Sequence, residues 1–77
     1  MPKMPRDISG DELIKRIEKL GYEVVRRSGS HVRLQKGSHL ITVPDHPTLK
    51  IGTLNGILTE IAVVMNKTKF EIINLIF

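Results

Sequence analysis

Leu13, Ile14, Ile17 and Leu20 recur at intervals of three and four, the spacing that stacks side chains along one face of an α-helix. Glu12, Lys15, Arg16, Glu18 and Lys19 fall on the other face. Ser9, with Glu12 three residues on, has the spacing of a reciprocal N-terminal capping box. Gly21 follows as a residue that takes the left-handed conformation closing a helix. The pattern predicts a helix over about residues 10–20. From Tyr22 the period drops to two. Val32 and Leu34 alternate with His31, Arg33 and Gln35, and Ile41 and Val43 form the stronger apolar face of the segment after them. Breaks at Ser28-Gly29, Lys36-Gly37 and Pro44-Asp45 divide this region into three strands, near 23–27, 31–35 and 39–43. Connections this short make the strands antiparallel, because parallel pairing needs a long crossover.

Leu54, Ile57, Leu58, Ile61 and Met65 return to helical spacing. Gly52 and Gly56 weaken that second helix intrinsically, by about 1 kcal/mol for an interior glycine, so packing must hold it. Thr68 and Glu71 repeat the capping-box spacing ahead of Ile72, Ile73, Leu75, Ile76 and Phe77. They predict a short C-terminal helix, apolar enough that part of its surface is expected to meet a partner. The expected class is α+β, in the order α-β-β-β-α with a three-stranded antiparallel sheet and the extra C-terminal helix. One domain spans residues 9–77 behind a flexible segment, 1–8.

Length and charge narrow the picture. A 77-residue chain buries only about 60% of its unfolded surface. Without cysteine it has neither a disulfide framework nor a thiolate metal cage. The longest apolar run, Ile61–Met65, is far short of the ~20 residues that span a bilayer, and nothing near the N-terminus reads as a signal peptide. A soluble, cytoplasmic protein with no membrane association is expected. The net charge is +4. Residues 1–36 hold nine Lys/Arg against five Asp/Glu, and residues 37–77 hold three of each. Within the first half, Val24–Lys36 carries Arg26, Arg27, Arg33 and Lys36 with no acidic residue. That local field suits phosphate; the plainer alternative is a solvated basic face.

Gly-Ser-His occurs twice, at Gly29-Ser30-His31 and at Gly37-Ser38-His39. Strand alternation puts His31 on the wet face beside Arg33. A two-residue turn at Lys36-Gly37 pairs Leu34 with His39 and His31 with Thr42, which separates the histidines onto opposite faces. A three-residue loop with a glycine bulge would instead bring His39 round beside Arg33. RNA cleavage by its own 2′-hydroxyl needs a group to take that proton, one to protonate the leaving 5′-oxygen, and cations on the phosphate. Imidazole serves either proton step near neutrality. Ser30 supplies donors for a phosphate beside His31, although Ser and Gly also favour an ordinary turn. His31, His39, Asp45 and His46 are metal-ligand types, but their spacing matches no zinc motif and their faces diverge, so no metal is expected.

The run Gly21–Arg33, followed by Ile41–Pro47 and then Leu49–Leu58, resembles the HicA family of mRNA interferase toxins. The likeness extends from about Ser9 to Ile61, and its most specific parts are Gly29-Ser30-His31, Val43-Pro44 and Gly52-Thr53-Leu54. The resemblance implies a fold like the double-stranded RNA-binding domain. It also implies metal-independent endoribonuclease cleavage of mRNA without a cofactor, and neutralisation by a HicB antitoxin. The family's catalytic histidine corresponds to His31, which opens the second strand. Val32 stands where the family often has a second histidine or an aromatic residue, leaving the general acid unidentified. Arg26, Arg27, Gly29, Ser30, Arg33 and Lys36 are then the expected RNA contacts, with Lys50 at the start of the second helix as a further anion site. A non-catalytic double-stranded RNA-binding module, or an interaction subunit, remains the alternative.

Overall fold

The computed structural model describes residues 4–77 as α1 (Gly10–Glu18), β1 (Glu23–Ser28), β2 (His31–Lys36), β3 (His39–Pro44), α2 (Ile51–Met65) and α3 (Lys69–Ile76). The chain is α+β, with one antiparallel sheet in the order β1-β2-β3. Residues 1–3, part of the expected N-terminal segment, lie outside the described residues. Ile8 is buried, and its carbonyl accepts a hydrogen bond from the Leu49 N–H at 2.7 Å.

Local signals set the helix ends. The Ser9 side chain accepts from the Glu12 N–H at 3.0 Å. The expected return bond is replaced, because Glu12 turns to Arg16, at 3.1 Å. Beyond α1 the chain tightens through short-range backbone bonds to Gly21, at φ +98°. Around α3 the box is complete: Thr68 Oγ1 accepts from the Glu71 N–H, and Glu71 Oε1 accepts from the Thr68 N–H. Those bonds, the backbone one first, hold the Glu71 carboxyl below its usual range.

The core lies between the helices and one face of the sheet. Leu13, Ile14 and Ile17 of α1, Leu54, Leu58 and Ile61 of α2, and Ile72, Ile73 and Ile76 of α3 close over Val32, Leu34, Ile41 and Val43. Packing thus holds α2 despite its glycines. Arg16 fastens the C-terminal end, donating from Nη1 to the Ile76 carbonyl at 2.6 Å and lying 4.5 Å from the centre of the Phe77 ring. Leu75 points away from the core and is exposed.

Both hairpins turn on Gly-Ser. Ser28 pairs with His31 across Gly29-Ser30, and Lys36 pairs with His39 across Gly37-Ser38. Each glycine has φ +59°, a conformation that two-residue hairpin turns demand and glycine adopts freely. The second turn therefore lies one residue later than Lys36-Gly37, so Leu34 pairs with Ile41 and His31 with Pro44. This correction moves the register by two, which leaves every side chain on its expected face.

Candidate nucleic-acid interface

All three helices cover the Val32–Leu34 face, and the other face of the sheet is open. His31 begins the central strand, flanked by Ser28 on β1 and Pro44 on β3. Two residues on, Arg33 lies between Arg26 and Thr42. Arg26, Ser28, His31, Arg33 and Thr42 line one cleft of about 410 Å³, and all five are exposed. Among the described residues, His31 has no side-chain hydrogen bond and neither arginine an ion pair. Like charges directly opposite each other destabilise a sheet. The Arg26–Arg33 pair is therefore a concentrated positive site whose repulsion a bound anion would relieve.

The expected contacts divide between the two faces. Arg26 and Arg33 join His31, with Gly29 and Ser30 in the adjoining turn. Arg27 pairs with Val32 on the helix side, where it lies 3.7 Å from Asp45. Lys36 is also on that side, with its Nζ 5.9 Å from the centre of the Tyr22 ring. The irregularity between Val24 and Arg26 explains the division. An unbroken ladder from Val24–Leu34 would set Arg27 opposite His31; the bulge at Val25 advances β1 by one and exchanges the faces of Arg26 and Arg27. Ser28 and Thr42 enter the cleft as residues not singled out in the sequence, where their only signal is alternation once the register is known. The Asp45 N–H donates to the Ser30 carbonyl at 2.6 Å and steadies the turn beside His31.

His39 is on the helix side. Its Nδ1 lies 2.7 Å from the Tyr22 hydroxyl and its Nε2 3.1 Å from Glu60 Oε2. Burial pushes the Tyr22 hydroxyl above its usual range, and the Glu60 carboxylate adds to the shift. The phenol is therefore protonated and suited to donate to Nδ1, leaving the Nε2–H to donate to Glu60. This chain of bonds ties β3 to the start of β1 and to α2. Removing the ring in His39→Ala strands a buried hydroxyl, with an expected cost of about 1–3 kcal/mol while the cleft stays intact. A thermal midpoint equal to that of the unmodified protein would contradict the structural role.

Lys50 precedes α2 as its N-cap, with no side-chain capping bond. Among the described residues no three metal-ligating side chains converge, and no helix is long and apolar enough to cross a membrane. The family described as HicA toxin of bacterial toxin-antitoxin matches residues 10–63. No curated protein and no solved structure matches the chain.

Proposed function

The chain belongs to the HicA toxin family of bacterial toxin–antitoxin pairs, and from that premise we propose that it cleaves mRNA in the cytoplasm as a metal-independent endoribonuclease held in check by a HicB-like antitoxin. The observation that carries this reading is the His31 imidazole on an open face beside two unneutralised arginines, Arg26 and Arg33. The arginines hold the scissile phosphate and offset its growing charge. His31 takes the proton of the 2′-hydroxyl. The 2′-oxygen bonds to phosphorus, the bond from phosphorus to the 5′-oxygen breaks, and that oxygen takes a proton from water. The products are a 2′,3′-cyclic phosphate and a 5′-hydroxyl. Ser28, Thr42 and the Gly29-Ser30 turn supply further polar groups to the sugar–phosphate chain.

Labelled single-stranded RNA incubated with the protein in EDTA is expected to yield fragments ending in the cyclic phosphate. Intact RNA, or cleavage that EDTA stops, overturns the reading. Beside His31 the lining of the cleft offers no second imidazole or carboxyl group to act as the acid, and this favours one rival, a non-catalytic RNA-binding module. That module would bind the same RNA and leave it whole. Either way, Arg33→Gln is expected to weaken RNA binding and to flatten its dependence on salt, by about 0.7 in log–log slope for each phosphate left unneutralised. Affinities measured across a range of salt concentrations check this, and an unchanged slope would remove Arg33 from the interface.

A further inference from the structure

The helices lean mainly on β3, and every residue of β1 except Val24 is exposed. Alternate residues of an edge strand turn their N–H and C=O groups away from the neighbouring strand. Glu23–Ser28 therefore offers a free hydrogen-bonding rim six residues long. The bulge leaves Val25 51% exposed on that rim, with Arg26 and Arg27 on opposite faces beside it. Among the described residues, a single carboxylate, that of Asp45, lies within ion-pair distance of Arg26, Arg27 or Arg33. A second copy of this chain pairing there would bring four arginines, Arg26 and Arg27 of each copy, together with only two Glu23 carboxylates, and the excess positive charge along the seam repels. The bulge and the arginines thus guard the edge against self-association and leave it complementary to an acidic strand.

We infer that β1 is the edge on which the antitoxin docks, by adding an extended strand that carries carboxylates alongside Glu23–Ser28. Main-chain hydrogen bonds provide the attachment, and alternating side chains provide the selectivity. Carboxylates on one face of the added strand meet Arg27. Those on the other meet Arg26 at the border of the cleft and remove half of its paired positive charge. The added strand thus weakens the hold on phosphate from the border of the cleft. The inhibitory consequence rests on the RNA-cleaving reading above; the docking itself does not.

The test uses the full chain, free and in complex with a HicB-like antitoxin. Amide hydrogen exchange over Val24–Arg27 is expected to slow at least about tenfold in the complex, and Val25→Asp is expected to weaken antitoxin affinity by about tenfold or more, ~1.4 kcal/mol. Unchanged β1 exchange in a formed complex overturns the proposal, as does protection of β1 by RNA but not by the antitoxin. The exchange measurement on the unmodified chain decides the matter even if the variant folds poorly. A chain that fails to cut RNA but still shows antitoxin protection along β1 would end the enzyme reading and leave the docking edge standing.

Discussion

His31→Ala is expected to lower the rate of RNA cleavage by about 10²–10⁴-fold, the usual contribution of a general base, without measurable loss of stability. The second half of that expectation follows from the environment of the ring. His31 is exposed at the start of β2, and an exposed ring without a bonded partner strands nothing when it is removed. RNA affinity should fall little, because Arg26 and Arg33 remain. Single-turnover cleavage, RNA binding and thermal melting on one preparation check all three parts. His39→Ala is the informative control, since it should lose stability and retain cleavage. A His31→Ala protein that cuts at the unmodified rate would remove His31 from the reaction, and one that no longer binds RNA would make it a contact instead.

Gly10→Ala is expected to have the largest effect on stability of any single-methyl addition in the described chain. Gly10 begins α1 where the helix meets the end of β3, and its N–H donates to the His46 carbonyl at 2.9 Å. An added Cβ would fall on the Pro44 carbonyl oxygen and come within 2.9 Å of the Asp45 Cα. Both obstacles are backbone, so no side chain can swing aside. Overpacking costs about 1–3 kcal/mol, and loss of the buried hydrogen bond adds about 1–3 kcal/mol. For a domain of this size each kcal/mol moves the thermal midpoint by about 4–8 °C. A fall of at least about 10 °C is therefore expected. By contrast, Gly56→Ala places its methyl in open space and should stabilise α2 by up to about 1 kcal/mol. A small shift in Gly10→Ala would show that α1 can move off the 44–46 segment at little cost. Because that segment also carries the Asp45 N–H bonded to Ser30, such movement should be visible in the exchange rates of the Gly29-Ser30 turn.

The order of amino acids by itself determined the elements and the outward direction of His31. Capping residues, glycine stops and apolar periodicity act within a few residues of one another, so Ser9, Gly21, Thr68 and the Val32–Leu34 alternation could be read without knowing what lay opposite. The family resemblance, too, resides in contiguous residues, and it selected His31 over His39. Two features depended on parts of the chain meeting. The Gly29-Ser30 turn requires Ser28 opposite His31, while the core requires Val24 opposite Leu34. These demands differ by one residue, and the bulge at Val25 reconciles them. That single residue decides that Arg26, and not Arg27, shares the cleft with His31. His39 likewise takes its role from Tyr22 and Glu60, 17 and 21 residues away in the chain. Periodicity assigns a side chain to a face, but its neighbours on that face follow from register and packing, and these are settled only when the sheet and helices close on a common core.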